Sequence, residues 1–132
     1  RIIKVSTNYE DELILVDCKK LPSHDFKSLD DLVNKYLEPF KGTENFPIIG
    51  VIALPGPIID NKCEITVNLL HWGISDGDAV AKSCGIKEVH LLNDFVVNGY
   101  GMLSSNLVLN KDYFVLQKGQ NGEEMEKLNL MN

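Results

Sequence analysis

The stretch Glu88-Val-His-Leu-Leu-Asn-Asp-Phe95 decides the fold. Val89, Leu91 and Leu92 form an apolar run ended by a polar pair, and this predicts a buried strand. Beyond the pair Asn93-Asp94, residues Val96, Tyr100 and Leu103 recur on one helical face, which predicts a helix. Asn93-Asp94 therefore falls where a strand ends and a helix begins. Open α/β sheets bind ligands there, outside the carboxyl ends of their strands. A carboxylate at that place can take a proton from a substrate hydroxyl. It can equally cap the helix by accepting from first-turn N–H groups. On this stretch alone the cap is favoured by about two to one.

Working outward, Ser75 with Asp78 three residues on reads as a capping box. It opens a helix through Ala79, Val80 and Cys84, with Gly85 as the C-terminal stop. Phe46 to Leu54 is the most apolar run and is rich in β-branched residues, predicting a strand covered on both faces. Pro55-Gly56-Pro57 breaks it. Lys62 to Val67 predicts another short strand, and Asn68 to Gly73 a loop carrying His71 and the only tryptophan, Trp72. At the start, residues 1–7 and 12–17 predict two antiparallel strands around a turn at Asn8-Tyr9-Glu10-Asp11. Residues 18–27 read as irregular. Ser28, with Asp31 in an acidic variant of the capping box, then opens a helix. Leu29, Leu32, Val33, Tyr36 and Leu37 give it an apolar face, and Pro39 ends it. At the other end, Ser104-Ser105-Asn106 reads as a loop, Tyr113 to Leu116 as a strand, and residues 117–132 as a polar tail. Two strands followed by alternating helices and strands make an α/β layered domain over residues 1–116.

The chain has 132 residues, 44% of them hydrophobic, enough for one domain with a core. A net charge of -6 argues against a nucleic-acid backbone as partner. It leaves an anionic substrate open, since backbone N–H groups or a metal can override net charge. Cys18, Cys63 and Cys84 contain no CxxC spacing and suit a reducing compartment such as the cytoplasm. The simplest expectation is that all three are small buried residues. His24, His71 and His90 lack metal-ligand spacing, so no metal site is expected from them. No apolar run approaches the roughly 20 residues of a membrane span, so no membrane partner is expected. Because the first residue is Arg1 rather than Met, the chain is expected to start inside a longer protein.

Three stretches together carry a resemblance. Ile52-Ala-Leu-Pro-Gly-Pro-Ile58 is followed by Thr66-Val-Asn68 and Trp72-Gly-Ile-Ser75, and then by Leu91-Leu-Asn-Asp-Phe95. This order resembles the bacterial-type glucokinases, ATP-dependent hexose kinases of the actin/hexokinase superfamily. The match covers residues 46–105 by motif and 1–45 by layout. It implies a ribonuclease H-like domain, a mixed sheet flanked by helices. It also implies that Asp94 is the catalytic base, that Asn93 binds a sugar hydroxyl, and that Asn68 is the Asn of the loop beside the sugar cleft. The sequence departs from the pattern where Val67 separates Thr66 from Asn68, and where the gap from Asn68 to Trp72 is one residue longer than the family's. Glucose and ATP are the implied partners and Mg²⁺ the implied metal cofactor, with a homodimer of the parent allowed. The family's phosphate loop, an Asp-x-Gly-Gly-Thr run, belongs just before Arg1. The later sugar-binding Glu-x-x-His and adenosine-binding glycines do not occur after Asn106. The chain is thus expected to be the small lobe, without its first strand and phosphate loop, and inactive alone.

The chemistry required is a base near the sugar's primary hydroxyl, a group that positions that hydroxyl, and charge stabilisation at the transferred phosphoryl group. Asp94 can supply the first and Asn93 the second, because a carboxamide both donates and accepts. Gly99-Tyr-Gly101 lies inside the predicted helix and makes no phosphate cradle. His71 and Trp72 could stack on a sugar, although a loop tryptophan covering the core edge is about twice as common. Two alternatives stay open. One is a non-catalytic sugar-binding regulator of the same fold, against which no basic patch or helix-turn-helix is seen. The other is a ribonuclease H-like nuclease, which would need clustered carboxylates for two metals.

Overall fold

Short apolar segments alternating with two well-capped helical stretches build the chain. The computed structural model describes residues 1–7, 13–66, 69–103, 107, 108 and 111. It divides into two units, Arg1–Asp94 and Phe95–Asn132. The expected turn at 8–11, Asn68, the loop at 104–106, the strand at 113–116 and the polar tail lie outside the described residues.

In the first unit, β1 (Ile2–Thr7) and β2 (Leu13–Lys19) pair antiparallel, with an irregularity between Lys4 and Val5. Two short 3-10 turns, Ser23–Asp25 and Glu38–Phe40, flank helix α1 (Leu29–Leu37). Half of the predicted box forms: Ser28 Oγ accepts from the Asp31 N–H at 3.2 Å, while Asp31 Oδ2 accepts from the Lys27 N–H, one residue before the cap, at 3.2 Å. The apolar face buries Leu29, Leu32, Tyr36 and Leu37. The Lys4 and Lys19 ammonium groups sit 5.0 Å and 5.9 Å from the ring centres of Phe40 and Tyr36. These cation–π contacts hold the β1–β2 hairpin against α1 and the turn after it.

β3 (Ile49–Leu54) and β6 (Glu88–Asn93) pair parallel, from Ile49 opposite Glu88 to Leu54 opposite Asn93. Between them in sequence lie the hairpin of β4 (Lys62–Glu64) with β5 (Ile74–Asp76), then helix α2 (Gly77–Cys84). α2 packs on α1 and on β6, and Leu37, Ile65, Val80 and Cys63 are the largest fully buried side chains. In the second unit, α3 (Asp94–Met102, its first residue ending the first unit) follows β6 directly. The strand-to-helix junction therefore lies at Asn93-Asp94, as the sequence predicts.

Several expectations need correction. The cap of α2 is Asp76, whose Oδ1 accepts from the Asp78 and Ala79 N–H groups at 2.9 Å and 3.1 Å. Ser75 is buried within β5. Both residue types cap well, and the backbone decides: Asp76 is the extended residue immediately before the helix. β3 is covered on one face only, burying Leu54 and half-burying Ile52 while Val51 is 62% exposed. Its neighbour β6 brings α2 to one side of the pair. The described strands form three two-stranded sheets in place of one mixed sheet. Cys63 and Cys84 are buried as expected, but Cys18 is exposed. Gly85 at φ +75° stops α2 as predicted.

Truncating Leu37 to Ala should cost about 2–5 kcal/mol, the usual range for a fully buried leucine, read from denaturant midpoints. A second outcome concerns acid. Asp76 accepts from the Ala79 N–H and pairs with Lys62 at 3.1 Å, and both hold its carboxyl below the ordinary 3.8. A folded-state pKa below the unfolded value gives stability that is present above pH 4–5 and lost as pH falls through the folded pKa. Asp76→Asn keeps a capping side chain but removes this charge. Melting temperature measured from about pH 3 to 7 should therefore fall less steeply with acid in the variant than in the parent sequence.

Candidate active site

Parallel pairing puts the carboxyl ends of β3 and β6 side by side. Leu54 lies opposite Asn93, so the turn at Pro55-Gly56-Pro57 stands beside Asn93-Asp94. Asn93 Nδ2 donates to the Gly56 carbonyl at 2.9 Å, and the Gly56 N–H donates to the Leu54 carbonyl at 3.0 Å. This orients the Asn93 carboxamide. Both Asn93 and Asp94 are half-buried, so each is accessible to a ligand.

Gly56 is required by closeness. A Cβ there would lie 2.8 Å from Cys63 Sγ, closer than real Cβ atoms come, and a tight 3.3 Å from the Glu64 carbonyl. The turn after β3 thus rests directly on β4. Cys63 is fully buried, and its thiol pKa is raised, first by burial and second by the Asp94 carboxylate. Asp94 therefore lies within electrostatic reach of Cys63. The structure brings Asn93, Asp94, Gly56 and Cys63 into one place.

Two residues that sequence reading missed support the same strand end. Asp60 and Asn61 have φ of 48° and 58°, a left-handed pair closing a two-residue turn between Ile59 and Lys62. The Asn61 side chain reaches across to β6, and the Asn61 carbonyl accepts from the Gly77 N–H at 2.9 Å. The signal for the turn was present in Asp60-Asn61, a pair suited to positive φ. The signal for its long-range bonds was not.

Asn68 lies outside the described residues. Trp72 is buried in the core, and its Nε1 donates to the Phe26 carbonyl at 2.9 Å. His71 Nε2 lies 3.0 Å from the same carbonyl, and its ring meets the Trp72 ring edge-on. Trp72 is thus the core-edge tryptophan of the commoner expectation. Among the described residues no group of three or more His, Cys, Asp or Glu side chains could hold a metal ion. No helix among them is long and apolar enough to cross a membrane.

A family model described as Glucokinase matches residues 2–130. The chain belongs to the glucokinase family. It is 43% identical over 65 residues to a glucokinase of Synechocystis sp., which covers 49% of this chain and 17% of that protein. It is 29% identical over 124 residues to a glucokinase of Trichormus variabilis, which covers 94% of this chain and 34% of that protein. A glucokinase of Nostoc punctiforme is 32% identical over 80 residues, 61% of this chain and 22% of its own length. The chain thus spans about a third or less of the curated glucokinases it matches. No solved structure matches it.

The close approach of turn and strand in this glucokinase-family chain is testable by coupling. Gly56→Ala should cost about 1–3 kcal/mol through overpacking against Cys63 Sγ. In a Cys63→Ala background, which removes that sulfur, the same substitution should cost much less. A double-mutant cycle on melting temperature reads the difference, and additive costs would contradict the contact.

Proposed function

We propose that the parent protein is a glucose kinase that transfers the γ-phosphoryl group of ATP to glucose, with this chain as its small lobe. The observation that carries the reading is the place of Asn93-Asp94. It stands at the carboxyl end of a parallel strand pair, fixed by the bond from Asn93 to Gly56, in a chain of the glucokinase family.

In this reading Asp94 is the base. As the 6-hydroxyl oxygen of glucose forms its bond to the γ-phosphorus, its proton passes to the Asp94 carboxylate. The bond from the γ-phosphorus to the bridging oxygen of ADP breaks. Glucose 6-phosphate and ADP leave, and the proton is released to water. Asn93 orients the sugar: its Nδ2 is engaged at Gly56, which fixes the plane of a carboxamide able to bond sugar hydroxyls. Asn68 joins the sugar side in the same reading. A bound Mg²⁺ would supply charge neutralisation at the phosphates.

The reading includes a ribonuclease H-like small lobe running to residue 116. It is supported by the antiparallel pair β1–β2, helix α1, and the parallel pair β3–β6 with α2 between. β1 and β3 also line one cleft of about 470 Å³. A further strand of the parent lying there would join the two pairs into one mixed sheet. A reducing, cytoplasmic setting is supported by the three unpaired cysteines.

Asp94→Asn in the parent decides between base and cap, because Asn caps helices about as well as Asp. Turnover should fall by roughly 10²–10⁴-fold while the melting temperature stays within a few degrees. The Michaelis constant for glucose should change far less than turnover. Near-normal turnover would leave Asp94 a cap. The 132-residue chain by itself should form no glucose 6-phosphate in a coupled assay.

A further inference from the structure

β6 is paired with β3 along one edge, and no strand runs along its other edge among the described residues. On that other edge the Val89 carbonyl and the Leu91 N–H are both answered by one side chain. Asn61 Nδ2 donates to the Val89 carbonyl at 2.8 Å, and Asn61 Oδ1 accepts from the Leu91 N–H at 2.8 Å. A carboxamide carries the same donor and acceptor as a peptide unit. Asn61 therefore stands in for one residue of a neighbouring strand.

Two further bonds hold Asn61 itself. Its Nδ2 also donates to Asp78 Oδ1 at 2.8 Å, and its carbonyl accepts from the Gly77 N–H at 2.9 Å, both at the start of α2. Gly77 leaves room for this arrangement. A Cβ on Gly77 would lie 2.7 Å from both Asn61 Cγ and Asn61 Oδ1. The turn, the start of α2 and the outer edge of β6 are thus locked through one carboxamide. Leu91 is two residues before Asn93 and three before Asp94.

We propose that Asn61 is a positioning residue for phosphoryl transfer: by pinning Val89 and Leu91 on the outer edge of β6, it sets where Asn93 and Asp94 are presented. This rests on the reading of Asp94 as the base. Asn61 touches neither sugar nor phosphate; it acts through the strand. Displacing a catalytic group by about 1 Å can cost 10²-fold in rate, so the support of the strand end matters to turnover as well as to stability.

The test uses the full-length parent. Asn61→Gly keeps a residue suited to the left-handed turn and removes only the carboxamide. Gly77→Ala disturbs the same carboxamide from the other side. Each should lower kcat by about 10- to 100-fold, assayed well below the melting temperature, with the Michaelis constant for ATP changed less than about threefold. In the Asn61→Gly background, Gly77→Ala should lower kcat no further, because the side chain it strikes is gone. A merely structural Asn61 would lower the melting temperature and leave kcat within about twofold, and that result overturns the proposal. Independent, multiplying effects of the two substitutions overturn it as well. Should Asn61→Gly fail to fold, normal kcat in Gly77→Ala alone overturns it. Asp94→Asn measured beside them separates the two readings. Lost turnover there with normal Asn61→Gly kcat removes the positioning role alone. Retained turnover there removes the base and leaves any Asn61 effect to be read on Asn93.

Discussion

The parallel pairing of β3 with β6 is the interaction on which the rest depends. Its register sets Leu54 opposite Asn93 and so brings two chain turns to one end of the sheet. The turn at Gly56 can then offer its carbonyl to Asn93. Parallel strands collect their carboxyl ends on one side, which is why α/β folds bind ligands there. An antiparallel pairing of these two strands would have put Gly56 and Asn93 at opposite ends.

That pairing is kept in place by contacts closer than ordinary packing. Gly56 rests on Cys63, and Gly77 makes room for the Asn61 side chain. Both are glycines because another backbone or side chain already fills the space a Cβ would take. The result is a strand end bonded from two directions, by Gly56 at Asn93 and by Asn61 at Val89 and Leu91. In the proposed reading, Asn93 and Asp94 presented from such a strand end would lose little freedom when substrate arrives, which lowers the cost of reaching the reacting geometry. The same tightness buries Cys63 beside Asp94 and raises its thiol pKa, so the sulfur serves there as a small packing group.

Much of this was legible in the sequence where several local signals agree. For α1, the Ser28–Asp31 box, five apolar residues at helical spacing and Pro39 all point the same way, and the helix runs from Leu29 to Leu37. The junction at Asn93-Asp94 was legible because the apolar run stops there and helical spacing starts. β5 was not, since three residues from Ile74 to Asp76 are too few to show a period. The α2 cap fell one residue off because Ser75 and Asp76 are both good caps and only the backbone angles choose between them. The one-sided burial of β3 was hidden because Ile49, Val51 and Ile52 are equally apolar on either face. Asn61 was missed for a different reason: its partners Val89 and Leu91 lie 28 and 30 residues away. The family resemblance rested on motifs and is matched over residues 2–130.

The central claim is that the end of β6 presents Asp94 to the reacting hydroxyl of a sugar. A crystal structure of the full-length parent with glucose and a non-hydrolysable ATP analogue tests it most directly. The account predicts an Asp94 carboxylate oxygen about 2.6–3.2 Å from the glucose 6-hydroxyl, with Asn93 bonded to a sugar hydroxyl and still donating to Gly56. Glucose bound elsewhere, or an Asp94 carboxylate turned away and bonded only to first-turn N–H groups of α3, would contradict it.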